Sequence, residues 1–272
     1  MFKKNRYIIS DFIDVWPEAF PFSPIIKKVV LNTIGVLSNN LRKYITNNSD
    51  ITILESNYFK KFLPTTKLND PRKLKIMLLK KYNYQREHSE KSDVISFCYI
   101  GNIGEIYDFD SLLYILSQTM ENKRVFLNII GEGNKKEWLI QSIENNCIPY
   151  KYYGPIYDER IKCAILSSCW WGFNGYKENT EVSLSYKSID YLSYGVPMIN
   201  SAKGDTKEFI DNYMIGFNYR TNNLDALVKK IINIDNTMLK EMSNNCLEIF
   251  NKYFTMKTLK EDIKDILERI NL

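Results

Sequence analysis

The chain has 272 residues, 44% of them hydrophobic and 25% charged, with a formal net charge of +5. This is globular composition with enough chain for one large or two ordinary domains, and it excludes disordered and fibrous classes. The charge is uneven: residues 1–92 hold 17 Lys+Arg against 8 Asp+Glu, whereas residues 93–272 hold 20 against 24.

The start, "MFKKNRYIISDFIDVWPEAF", carries acids where a signal peptide would have its apolar core, and no window approaches 18 uncharged apolar residues. A cytoplasmic protein is expected, with peripheral contact at the inner face of the cell membrane as a further expectation. "RYIISDFIDVW" reads as a strand. "SPIIKKVVLNTIGVLSNNLRKYI" then spaces Ile26, Val29, Val30, Ile34 and Leu37 as a helix does, with Lys27, Lys28, Arg42 and Lys43 near its ends. It is either a core-facing helix with a solvated basic side or a contact with an anionic membrane surface. Nucleic acid is not expected, because no base-reading motif accompanies the charge. "DITILES" and "KLKIMLLKKY" read as further strands, and the polar run over residues 82–93, containing the single histidine His88, as a linker.

From Val94 onward short apolar runs alternate with helical patterns, as β-α repeats around a parallel sheet do. In order come strand "VISFCYIG", helix "DFDSLLYILSQTM", strand "RVFLNIIGEG", helix "NKKEWLIQSIENN", strand "YKYYGPI" and helix "DERIKCAILSSC". Strand "WWGFNGY", helix "SYKSIDYLSYG", strand "VPMINS", helix "TKEFIDNYM" and strand "IGFNYR" follow, and two helices close the chain, Asn223–Ile234 and Thr237–Leu272, the latter with a break near Phe254. The pattern predicts an α/β fold in which a Rossmann-like unit, residues 93–272, is preceded by a partial one, residues 1–92, with the terminal helix packing back on the latter. The five cysteines show no Cys-x-x-Cys and sit in or beside apolar segments, so reduced buried thiols are expected.

Ligands of open α/β sheets bind at strand carboxyl ends, and the glycines fall there: Gly101 and Gly104, then Gly131 and Gly133, then Gly154. Three strand ends without bulky side chains would leave backbone N–H groups open to an anion. Asp108 to Asp110 could hold a divalent ion on a diphosphate, but N-capping explains them more simply. Asp11, Asp14 and Glu18 lie at or beyond the carboxyl end of the first strand, so Asp14 and Glu18 are candidates for facing a cleft; a turn at Pro17 with solvated acids is the alternative.

The succession "YIGNIGEIYDFDSLLYIL", "LNIIGEGNKKEWL", "YYGPI", "SYKSIDYLSYGVPMINS", "GDTKEFI" and "GFNY" resembles the nucleotide-sugar-binding domain of GT-B glycosyltransferases of the family 4 type, in particular bacterial members that build capsule, exopolysaccharide or O-antigen. The resemblance covers residues 94–270, and "DFIDVWPEAF" with "ITILESNYFKKFL" is similar to the later part of that family's acceptor-side domain, which leads to the expectation of a truncated, split or degenerate N-terminal domain. It implies a GT-B, hexosyltransferase-like enzyme, retaining and metal-independent, that uses no cofactor and transfers sugar from a nucleotide diphosphate donor to a glycan or lipid-linked acceptor. The alternative is a non-catalytic nucleotide-sugar-binding or regulatory subunit, and a partner chain supplying the missing half-domain is a further expectation.

By the resemblance, Asp190, five residues before Gly195, stands where the family's ribose-binding glutamate does, and the earlier family glutamate falls on Val182, next to Glu181. Asn102 and Tyr107 replace the family's two diphosphate cations. Lys187, one turn before Asp190, is the proposed substitute, with Asn102 and the Gly104 amide as neutral donors. Gly154, Pro155 and Ile156 match the segment whose backbone meets the base.

Overall fold

The computed structural model describes residues 6–20, 22–63, 69–84 and 93–271; His88 and residues 85–92 of the expected linker lie outside them. The N-terminal part is a three-stranded parallel sheet in the order β1 (Ile9–Phe12), β2 (Ile51–Leu54), β3 (Leu74–Ile76). Between β1 and β2 run α1 (Pro24–Asn32) and α2 (Ile34–Asn48) rather than one helix. The break is at Thr33, whose hydroxyl donates to Val29 O at 2.9 Å while its own backbone leaves the helical region. A hydroxyl that satisfies the preceding turn competes with helix continuation.

The two helices are inverted relative to an ordinary surface helix. Among its described residues α2 buries Gly35, Arg42 and Thr46, while Leu37 is 71% exposed and Val36, Leu41 and Tyr44 also face outward; Ile25 of α1 is 80% exposed. Arg42 turns inward because Glu18 is there: its two terminal nitrogens donate to the two Glu18 oxygens at 2.9 and 2.5 Å, both groups buried. Glu18, expected as a cleft carboxylate, is thus committed to a forked ion pair with Arg42, and its oxygens are not presented to an acceptor.

The larger part is a six-stranded parallel sheet in the order β6-β5-β4-β7-β8-β9, made of β4 (Ile95–Ile100), β5 (Val125–Ile130), β6 (Tyr150–Tyr152), β7 (Trp171–Asn174), β8 (Met198–Asn200) and β9 (Gly216–Asn218). Period-two alternation sends Phe97 and Tyr99 of β4 to one face, against α3 (Phe109–Met120), α4 (Lys136–Asn145) and α8 (Leu224–Asn233). It sends Cys98 and Ile100 to the other, against α5 (Glu159–Ser167), α6 (Tyr186–Ser193), α7 (Gly204–Tyr213) and the end of α9 (Asn236–Tyr253). Strand order reverses between β4 and β7, and the crevice outside that pair is where open α/β sheets hold ligands.

After β3 the chain leaves the sheet, which is why the strand expected over "KLKIMLLKKY" is short: Lys81 N bonds Phe254 O at 2.7 Å and Lys80 Nζ bonds Tyr253 O at 2.9 Å. Past the break at Phe254 and Thr255, α10 (Met256–Asn271) returns to the first sheet, where Ile266 packs on Ile51 and Ile53, and Asp262 takes Lys75 and Lys80, each at 2.8 Å. Among the described residues no helix is long and apolar enough to cross a membrane.

Removing one partner of a buried ion pair leaves the other charge uncompensated at about 3–5 kcal/mol. Glu18→Ala should lower unfolding stability by that order in urea titrations, whereas Asp14→Ala, at an exposed position, should change it by about 0.5 kcal/mol or less.

Candidate functional site

The ends of β4, β5 and β6 are stitched to one another. Gly101 N donates to Ile130 O, Gly131 N to Gly154 O and Ile103 N to Glu132 O, all at 2.8–2.9 Å. Gly131 and Gly133 are glycines because the loops touch: a Cβ at Gly131 would stand 1.8 Å from Gly101 O, and one at Gly133 would stand 2.2 Å from Ile103 O. The expected row of free amides is therefore corrected at Gly101 and Gly131, whose N–H groups are used within the loops. Gly154 keeps open space around it, Gly101 has one side chain in ordinary contact, and both have positive φ, +69° and +124°.

Directly against Gly101 lies Lys187. A Cβ on Gly101 would meet Lys187 Cε at 3.5 Å. Lys187 stands in the first turn of α6, which Ser185 caps by accepting from Ser188 N at 3.2 Å. It is 6% exposed, and its Nζ has no hydrogen-bond partner among the described residues. Instead it faces three tyrosine rings, with centroids at 3.9 Å (Tyr107), 4.3 Å (Tyr99) and 5.1 Å (Tyr176). Burial pushes the amine well below its ordinary pKa; the ring faces act in the opposite sense, attracting the ammonium form. Tyr99 is the penultimate residue of β4, Tyr176 follows β7, and Tyr107 occupies the position where the resemblance leads one to expect a lysine. The amine of this crevice thus arrives from α6 and meets the Tyr107 ring.

One turn further along α6, Asp190 is paired with Lys81 from the segment joining the two sheets. Lys81 also contacts Glu159 Oε2 and Tyr194 Oη, each at 3.0 Å. Burial would raise the Glu159 carboxyl, but hydrogen bonds from Lys162, Tyr194 and Lys81 outweigh it and hold the pKa down at about 2. Asp190 and Lys187 share a helix face, as their spacing requires, yet the Asp190 carboxylate is occupied within the chain. Sequence reasoning missed Lys81, in the expected strand "KLKIMLLKKY", and Glu159, in the expected helix "DERIKCAILSSC", because only the fold brings the two together beside Asp190.

The carboxyl ends of β1 and β2 face the loop before α6 across a cavity of about 490 Å³, lined by Asp14, Phe20, Glu55, Ile106, Thr180 and Glu181 among others. Asp14 reaches it and Glu18 does not. Glu181 is compensated by Lys203 at 2.7 Å and Lys61 at 3.6 Å, and accepts from Tyr58 Oη at 2.6 Å. Asp108 is the N-cap of α3, accepting from Ser111 N at 3.2 Å and from Tyr219 Oη at 2.9 Å. No three Asp, Glu, His or Cys side chains among the described residues converge to hold a metal ion. Asn102 is exposed beside Gly104, and Pro155 is exposed next to the half-buried Ile156.

No family model and no curated protein sequence matches the chain. Solved structures do. Anabaena HepE in complex with UDP is 14% identical, with a TM-score of 0.73 over 97% of this chain and 72% of that one. A Staphylococcus aureus TarM mutant in complex with fondaparinux, α-GlcNAc-glycerol and UDP is 15% identical, with a TM-score of 0.65 over 86% of this chain and 47% of that one. The pneumococcal O-GlcNAc transferase GtfA in complex with UDP and GlcNAc is 15% identical, with a TM-score of 0.63 over 85% and 48%. The chain spans about half the length of TarM and GtfA. It has the Rossmann-like GT-B fold of these structural neighbours.

Gly131→Ala must push the β4 and β5 loops apart, because the clash is with backbone, whereas Gly154→Ala meets open space and costs roughly 1 kcal/mol of left-handed strain. Thermal melts of the two variants should therefore rank Gly131→Ala as clearly the more destabilised.

Proposed function

We propose that the chain is the donor-binding part of a glycosyltransferase of the family 4 type, moving a sugar from a nucleotide diphosphate donor to a glycan or lipid-linked acceptor in cell-surface polysaccharide synthesis. The observation that carries this is Lys187: a buried amine without a hydrogen-bond partner among the described residues, at the start of a helix, beside Gly101, at the point where strand order reverses. A desolvated amine next to a helix N-terminus is held in its charged form by an anion of concentrated charge, and a diphosphate is such an anion. The UDP complexes of HepE, TarM and GtfA support the same substrate class.

In this proposal the nucleotide runs down α6 from its N-terminus. The diphosphate meets Lys187 and the first-turn amides, the ribose diol meets Asp190 once Lys81 yields one carboxylate oxygen, and the base meets the backbone at Gly154 to Ile156. Asn102 and Gly104 border the diphosphate. Transfer breaks the bond from anomeric carbon to phosphate oxygen, whose electron pair leaves with the diphosphate, and forms the bond to the acceptor hydroxyl oxygen, whose proton passes to the departing diphosphate. Lys187 stabilises the charge that develops on the leaving group. A retaining outcome and independence from metal ions belong to the proposal, as does contact of the basic N-terminal part with an anionic membrane surface.

A non-catalytic nucleotide-sugar-binding subunit is the second reading. It is favoured by the outward apolar side of α1 and α2, which suits a partner chain.

Calorimetric titration with UDP and with uridine separates the roles. Lys187→Ala should weaken UDP by about 1–3 kcal/mol and uridine much less, whereas Asp190→Ala should weaken both. Absence of UDP binding by the unaltered chain would remove the donor-site proposal, and equal effects of Lys187→Ala on both ligands would remove Lys187 from the diphosphate site.

A further inference from the structure

The last residues of β7, β8 and β9 are asparagines, and the parallel register sets them side by side, Asn174 opposite Asn200 and Asn200 opposite Asn218. The neighbouring strands β4 and β5 end instead in Ile100 and Ile130. The three amides bond in one direction. Asn174 Nδ2 donates to Asn200 Oδ1 at 2.7 Å, Asn200 Nδ2 to Asn218 Oδ1 at 2.8 Å, and Asn218 Nδ2 to Asp211 Oδ1 at 2.7 Å and Lys207 O at 3.0 Å. The backbone of Ala202 fixes that direction: its N–H donates to Asn200 Oδ1 at 3.1 Å and its carbonyl accepts from Asn200 Nδ2 at 3.0 Å. Asn174 and Asn200 are fully buried. A buried amide row is tolerable only when its polar atoms are satisfied, and Asn200 uses both amide hydrogens and both lone pairs of its oxygen.

The row ends at the start of α6. Asn174 Oδ1 accepts from Ser185 Oγ at 3.4 Å, and Asn174 Nδ2 donates to Ser188 Oγ at 3.1 Å. The two serine oxygens stand 2.9 Å apart, and Ser185 caps the helix by accepting from Ser188 N. Lys187 lies between these serines in the chain. Its Nζ has no hydrogen bond among the described residues, so the place of the amine beside Gly101 is set by the first turn that carries it. A site residue without bonds of its own depends on the hydrogen bonds and packing of the residues that support it.

We propose that Asn174, Asn200 and Asn218 are positioning residues for the donor's diphosphate: their row anchors Ser185 and Ser188, and through the first turn of α6 it holds Lys187 in place against Gly101. The inference rests on the donor-site proposal and adds to it residues that reach the diphosphate only through the helix. Apolar side chains such as those closing β4 and β5 would fill the same end of the sheet. They would give Ser185 and Ser188 no partner in it, which separates anchoring from filling.

The test uses the full chain and calorimetric titration with UDP and with uridine, on variants whose folding is checked by thermal melts. Asn200→Leu keeps the volume and breaks the row at its centre. Ser188→Ala cuts the tie from Asn174 to the helix and leaves the Ser185 cap on the Ser188 backbone N–H, so it carries the test if Asn200→Leu folds poorly. Each should weaken UDP by about threefold to tenfold, the range of a single buried hydrogen bond, and uridine by less than about twofold. In the Lys187→Ala background neither should weaken UDP further, because the anchored group is then gone. Equal weakening of UDP and uridine, full additivity with Lys187→Ala, or unchanged UDP affinity in a folded variant would each overturn the proposal. If the unaltered chain binds UDP and Lys187→Ala weakens UDP selectively, the donor site stands whatever the row does; if the unaltered chain binds no UDP, the donor-site proposal and this inference both fall.

Discussion

An amine that is buried and given no carboxylate is a costly arrangement, and the C-terminal part is organised around one. Lys187 lies under Gly101 with three tyrosine rings around it and no hydrogen-bond acceptor in reach among the described residues. Desolvation of a charge is offset in proteins by an ion partner or by polarisable faces. Here, among the described residues, the protein supplies only the faces, and in the proposal above the ion partner is the donor's diphosphate. Each neighbouring feature serves this placement. Ser185 fixes where α6 begins, the absence of a Cβ at Gly101 opens the space above the stem, and the packed glycines 131 and 133 lock the adjoining loop against it.

The same helix couples that crevice to the rest of the molecule. Asp190 is tied to Lys81 in the connecting segment, Lys80 and Lys75 are tied to α10, and Ser56 and Tyr58 of the first sheet's edge meet Ser183 and Glu181 in the loop before α6. A ligand that takes Asp190 must loosen Lys81, whose other partners, Glu159 and Tyr194, remain to hold it. Under the proposed role of Asp190, donor binding and the setting of the two sheets are linked through Lys81.

Much of the fold was legible because period-two alternation in β4 and β5 and the turn residues between elements are local signals. The shared face of Lys187 and Asp190 was legible too, from their three-residue spacing on a helix. The tertiary partners were not. Glu18, beside Pro17, reads as a cleft-facing carboxylate or, alternatively, a solvated acid, and only the fold brings Arg42 from 24 positions away to fork onto it. Gly131 and Gly133 read as ligand glycines, but loop-to-loop backbone contact explains them. Lys81 lies near the end of the expected strand "KLKIMLLKKY", where nothing local marks it as the partner of Asp190, and Glu55 is one acid after an apolar strand; burial and the company of Asp11 and Asp14 distinguish it, and both depend on three dimensions.

The structure of a UDP complex tests the central claim most directly. The diphosphate should lie within hydrogen-bonding distance of Lys187 Nζ, with the Tyr107 ring displaced from over it, and the ribose hydroxyls should be on Asp190 in place of Lys81. A diphosphate bound elsewhere, with Lys187 still enclosed by the three rings and Asp190 still paired with Lys81, would contradict it.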